Sequence, residues 1–208
     1  MDIERLRKII DFSISNRDVF AVKLKNFYFD VGMNSEDKVL NVLQIARDSF
    51  FKRGFMVLQL PFADQEIEAL SYKGDALGYI LINTSRPKVN VNFAICHELY
   101  HVYFQENAFK SKVEFGDNHY YENEEEYAAN MFAGMLLMPE HSFRVMYYKF
   151  KNEMKGNEQD TIIQLMHYYQ VPYMAALIRC YELDLPESGT LSEELLSVTM
   201  NPSTPICL

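Results

Sequence analysis

The sequence predicts an α+β fold: a small sheet packed against two helices, followed by an all-helical C-terminal region. Three observations carry this reading. Three short runs of strand-like composition lie together between residues 55 and 83. Two segments with helical spacing of apolar residues follow, at about 92–105 and 122–137. Beyond Ser142 the pattern is helical throughout. A chain of 208 residues, 49% of them hydrophobic, can bury one sizeable core, or one core with a small appendage.

The first thirty residues are the hardest to place and form an N-terminal arm or helix. Ile3, Leu6, Ile9 and Ile10 follow helical spacing beside Arg5, Arg7 and Lys8. Such a run reads as the solvated face of a surface helix rather than a basic binding arm. Phe20 to Val31 is aromatic and β-branched, and is expected as an extended segment packed on the core. A helix should run from Ser35 to Arg53, with Ser35 as N-cap, Glu36 and Asp37 in the first turn, and Gly54 at the C-terminal cap. The three strands are Phe55–Leu60, Ala69–Lys73 and Leu77–Asn83, punctuated by Pro61, Gly74 and Asp75. They should pair as an antiparallel or mixed sheet. If Leu77–Asn83 lies at an edge, it can hold an extended peptide by strand addition.

A polar connection with Pro87 leads to a helix spanning Asn92–Gln105, capped by Asn90 or Asn92. Phe93, Ile95, Leu99, Val102 and Tyr103 make it apolar on most sides, so it belongs inside the domain. Residues 107–123 read as a loop. A second helix, Glu122–Leu137, places Glu122 and Glu124 to Glu126 in its first turn and ends before Pro139. Ser142 caps a helix to Lys155. Thr161–Tyr169 and Tyr173–Leu183 form a pair around Val171-Pro172, and a short helix, Ser192–Ser197, precedes a fraying tail. Thr161 to Ile178 carries no formal charge, but Gln164, His167, Gln170 and Pro172 argue against a membrane span.

Composition narrows the function. The net charge is -9, so the chain repels phosphate backbones and attracts basic protein surfaces. Cys96, Cys180 and Cys207 show no C-x-x-C spacing, which favours neither a disulfide framework nor a cysteine metal site. A reduced, cytoplasmic setting is expected, and MDIERLRKII lacks the apolar run of a signal peptide.

The chemistry concentrates in His97-Glu98-Leu99-Tyr100-His101, an H-E-x-x-H motif. On a helix the two histidines stack on one face and can share a metal ion, while Glu98 projects sideways towards a water on that ion. That is the geometry of a zinc hydrolase with two histidine ligands and a glutamate base. A catalytic zinc usually takes a third protein ligand. Phe104 and Asn107 stand where one large peptidase class places its further glycine and histidine, which excludes that class. A glutamate from the later helix is the alternative. Glu126 is the choice, with Glu125 in reserve, and Asn130 one turn on can steer a side chain of the site. Ala128, Ala129 and Ala133 would let the two helices approach closely. His119, Tyr120 or Tyr121 could stabilise an oxyanion, although solvated loop residues are the plainer reading. His141 and His167 read as structural.

Phe93 to His101, then Glu126 to Ala133, then Leu136-Leu137-Met138-Pro139, together resemble the ImmA/IrrE metallopeptidase family. The paired patterns are H-E-L-x-H and E-x-x-A-N-x-F-A-x-x-L-L-M-P. The resemblance runs from about Gly78 to Pro139. It implies a zincin-like metallopeptidase domain at residues 31–140 and a helical region with a helix-turn-helix-like pair at 141–208. It implies zinc (or manganese) on His97, His101 and Glu126, with Glu98 as catalytic base. It also implies that the substrate is a partner repressor of the helix-turn-helix type, cut to relieve repression of phage, mobile-element or stress genes. Tyr100 departs from the family, which often has glycine there, and bears on the width of the cleft rather than on the metal.

The helix pair offers little to DNA. Between Asp160 and Asp184 its only Lys or Arg is Arg179, against Asp160, Glu182 and Asp184. The competing class is a non-enzymatic regulator that binds a repressor or antitoxin-like partner, with zinc structural or absent. A fourth protein ligand, such as His119, would favour that class.

Overall fold

A computed structural model describes residues 3–32, 42–64, 67–74, 77–105, 112–115 and 124–186. In chain order the elements are α1 (Ile3–Val31), α2 (Val42–Lys52), β1 (Phe55–Leu60), β2 (Ile67–Lys73), β3 (Gly78–Asn83), α3 (Lys88–Phe104), β4 (Lys112–Phe115), α4 (Glu124–Leu137), α5 (Glu140–Glu153), α6 (Glu158–Tyr169) and α7 (Tyr173–Glu182). The fold is α+β, as the sequence predicts. Ser35, the short helix at Ser192–Ser197 and Cys207 lie outside the described residues.

The sheet has strand order β1-β3-β2-β4. β1 runs parallel to β3, while β2 is antiparallel to both β3 and β4. Two expectations change here. Leu77–Asn83 is not an edge: β3 has β1 on one side and β2 on the other, so it has no free side to offer a peptide. And the stretch expected as a loop contains β4, four residues with no strong strand signal, which pairs with β2 across an irregular register.

The largest correction is at the N-terminus. Phe20 to Val31 is not extended: Ile3–Val31 forms one 29-residue helix. Its buried residues include Leu6, Ile10, Ser13, Phe20, Leu24 and Phe27, which follow one another in steps of four, three, seven, four and three, the spacing of one helix face. That spacing outweighs the aromatic and β-branched composition, because burying a continuous apolar stripe matters more than local propensity. α1 packs against α4 and α7.

Two polar knots hold α3 against the sheet. Asn83, fully buried at the end of β3, donates to Asp64 O (3.2 Å) and Ile67 O (2.7 Å) and accepts from Phe62 N (3.0 Å) and Ser85 N (2.9 Å). All four of its hydrogen-bonding positions are used, so the loop before β2 and the turn into α3 are tied to one side chain. Neither Asn90 nor Asn92 caps α3. The helix starts a turn earlier, after Pro87, and the Asn90 amide donates instead to Glu68 on β2 (2.9 Å). Below these knots Ala69, Ile80 and Ile82 of the inner sheet face and Ile95 and Leu99 of α3 are wholly buried in the common core.

The other helices differ from expectation mainly at their ends. α4 is described from Glu124 on, while α5 starts at Glu140, so Ser142 lies inside α5 with its hydroxyl donating to Pro139 O (3.1 Å). Gly54 adopts φ +77° at the end of α2, the left-handed cap the sequence predicts. No helix of the described residues is long and apolar enough to cross a membrane.

Candidate metal centre

α3 buries nine consecutive residues, Ala94 to Val102. A helix apolar all round is driven fully inside, and it takes its polar residues with it. His97 is 1% exposed, Glu98 0% and His101 4%. α4 lies alongside, brought close by Ala129 and Ala133, both fully buried. Its first turn carries Glu124 and Glu125 on the exposed side and Glu126, 7% exposed, on the side facing α3.

Three donor atoms meet between the two helices. The Nε2 atoms of His97 and His101 lie 3.1 Å apart. The Glu126 Oε2 is 3.0 Å from the first and 3.7 Å from the second. Tetrahedral coordination with bonds of about 2 Å puts neighbouring ligand atoms roughly 3.3 Å apart. The three separations bracket that spacing, so the residues fit a small divalent cation. Among the described residues this is the group of histidine, cysteine and acidic side chains that could hold one.

The opposite ring atoms are also engaged. His97 Nδ1 is 2.9 Å from Asn130 Oδ1, and His101 Nδ1 is 2.7 Å from Gln105 Oε1. A carboxamide oxygen accepts, so each ring carries its proton on Nδ1 and turns its Nε2 lone pair towards the shared point. Two imidazole nitrogens and a carboxylate oxygen thus converge within 3.7 Å of one another. A cation at their centre would be held by all three.

The structure thus brings together His97, His101, Glu126 and Asn130, all singled out in the sequence. It separates Glu125, which is exposed, from this cluster. It adds Gln105, which the sequence marks only as the end of a helix. The signal was present: Gln105 is one helical turn beyond His101. Glu98 follows His97 on α3, fully buried. His119, Tyr120, Tyr121 and Glu122 lie outside the described residues. His141 and His167 are exposed and stand apart from the cluster. Burial pushes the Cys96 thiol well above its ordinary pKa, which makes this neighbour of His97 a core residue rather than a ligand or nucleophile.

Tyr100 packs edge-on against the His101 imidazole, with ring centroids 5.8 Å apart, and is buried in the core beside α1. Its ring stacks on Phe20 with centroids 5.8 Å apart, and its hydroxyl accepts from Lys23 Nζ at 3.0 Å. The Lys23 ammonium also sits over the Phe20, Tyr100 and Phe104 rings, at 4.7, 5.0 and 5.3 Å from their centroids. The bulk at position 100 is therefore absorbed by α1.

No curated protein matches the chain. A family model does: Peptidase_M78, the IrrE N-terminal-like domain, matches residues 52–181. The match begins at the end of α2, takes in the whole sheet and the His97–His101–Glu126 cluster, and ends within α7. Covering more than half of the 208 residues, it shows that the chain belongs to the Peptidase_M78 family, a metallopeptidase family of IrrE N-terminal-like domains.

Proposed function

We propose that this protein is a zinc-dependent endopeptidase that cuts a peptide bond in a partner transcriptional repressor. Cleavage would relieve repression of phage, mobile-element or stress genes. The observation that carries the reading is the convergence of His97 Nε2, His101 Nε2 and Glu126 Oε2, with distances of 3.0 to 3.7 Å, beside a buried glutamate. Two imidazoles and one carboxylate are the donor set of catalytic zinc, and manganese is the alternative ion.

His97, His101 and Glu126 would hold the ion. When bound, zinc polarises a peptide carbonyl and lowers the pKa of a water towards neutrality. Asn130 and Gln105 keep both imidazoles turned towards the ion. Glu98 takes a proton from the attacking water on a carboxylate oxygen. It then delivers that proton to the amide nitrogen as the C–N bond breaks. Burial of α3 keeps bulk water away from this exchange.

Charge supports a basic protein as substrate, such as the DNA-binding part of a repressor, since the net charge of -9 draws such a surface in. It speaks against duplex DNA as the direct partner. Arg179, the basic residue of the α6–α7 pair, is buried at 2% exposure, where its Nε donates to Met138 O and its Nη1 pairs with Glu182 at 3.0 Å. A side chain spent on holding α7 to the end of α4 cannot reach a phosphate.

The test is incubation of the zinc-loaded protein with the repressor encoded beside it, analysed for cleavage products. The wild type should cut. Glu98→Gln should bind zinc as the wild type does and lose about a thousandfold or more in rate. Cleavage at the wild-type rate by that variant would remove Glu98 from the reaction.

A further inference from the structure

We infer that Gln105 is a positioning residue that makes the last turn of α3 part of the metal centre. The inference rests on the metal-binding reading above and extends it to a residue at the helix end. The two imidazoles are held in different ways. His97 is oriented by Asn130, 33 positions away on α4, so its alignment comes from helix packing. His101 is oriented from within its own helix, and by the terminal residue. Gln105 is the C-cap of α3, with φ -122° and ψ 26°. Its backbone N–H donates to His101 O at 3.0 Å, while its side-chain Oε1 accepts from His101 Nδ1 at 2.7 Å.

The same two residues are therefore joined twice, once through the backbone and once through the side chains. The backbone bond is the final rung of the helix, the one that opens first when a helix frays. When it opens, the carboxamide moves away and the imidazole loses its alignment. The reverse holds by linkage: a cation that requires His101 Nε2 in place favours the closed turn. Metal binding and closure of the α3 end are thus one equilibrium.

The acceptor is a neutral carboxamide, and what it must supply is an oxygen at that distance. Gln105→Glu keeps an acceptor of the same length. Gln105→Met keeps length and bulk but supplies no comparable acceptor. Loss of a hydrogen-bond partner behind a metal-bound histidine typically costs ten- to a hundredfold in metal affinity.

The experiment measures Zn2+ affinity by competition with a chromophoric chelator for the full-length wild type, Gln105→Met and Gln105→Glu. It adds the melting temperature of each metal-free protein, and hydrogen exchange at the Gln105 amide with and without Zn2+. The expected result is a loss of about ten- to a hundredfold for Gln105→Met, recovery in Gln105→Glu, similar metal-free melting temperatures, and slower exchange of the Gln105 amide in the Zn2+-loaded wild type. Wild-type affinity in Gln105→Met overturns the inference and leaves the metal site standing. So does an equal loss in both variants, or exchange at the Gln105 amide that Zn2+ leaves unchanged. A large drop in the metal-free melting temperature of Gln105→Met also overturns it, because the residue would then be structural. Failure of the wild type to bind Zn2+ at all overturns the metal-binding reading, and this inference with it.

Discussion

Glu125 and Glu126 are the same amino acid in adjacent positions, and only their direction separates them. One helical step turns the side chain by about 100°, enough to leave Glu125 in solvent and put Glu126 between two imidazoles. If that direction decides the ligand, Glu126→Gln should weaken zinc binding by at least about tenfold, because a charged donor is replaced by a weaker neutral one. Glu125→Gln should bind zinc like the wild type. Competition with a chelator measures both, and equal losses in the two variants would show that the acidic first turn acts as a diffuse charge. At this scale the pairing of His97 with His101 was legible in the sequence, since a spacing of four on a helix fixes their mutual arrangement. Asn130 was legible through its spacing from Glu126. The spacing of Gln105 one turn after His101 was legible too, but a glutamine at a helix end has many possible partners, and the structure selects this one.

Among the elements, the sheet depends on a close contact that no pattern of hydrophobicity reveals. Gly78 opens β3 directly opposite Phe55 of β1, whose ring lies across it. A methyl group built on Gly78 would sit 2.3 Å from the Phe55 ring, and Phe55 is only 2% exposed, so the ring has nowhere to retreat. Gly78→Ala should therefore destabilise the fold by about 1–3 kcal/mol, read as a shift in the urea midpoint. An unshifted midpoint would mean that β1 can slide past β3 at no cost. The existence of β1, β2 and β3 was readable from composition and punctuation. Their order was not. Pairing is a long-range choice, and short apolar strands of similar composition fit several orders equally well. The central place of β3 follows from the parallel register of β1 with β3, and it removes β3 as a docking edge.

For the whole molecule, α1 matters most, because the helices of the metal site lean on it. One tie is electrostatic. Glu140 at the start of α5 pairs with Arg17 of α1 and with Arg144 one turn along α5. Burial alone would raise its carboxyl pKa, but the hydrogen bonds and charges of the two arginines hold it below the ordinary carboxylate value. A carboxyl whose pKa is lowered in the folded state stabilises the protein above its unfolded-state pKa. That contribution is lost as pH falls through the folded-state value. Glu140→Gln should thus melt below the wild type at neutral pH, and the gap should close at strongly acidic pH. With the Glu140 side chain 40% exposed the gap should be modest. A gap that stays constant with pH would assign it to packing.

The sequence by itself determined the motif helix, its partner helix, the acidic charge and the helices between Glu140 and Glu182. These are local or compositional properties, set by spacing along one element or by counting side chains. The tertiary structure alone decided which strands lie inside the sheet and how α1 reaches the core. Each of these is a contact between segments far apart in the chain. Such contacts are chosen by how all the buried surfaces fit together, and no stretch of sequence read alone carries that information.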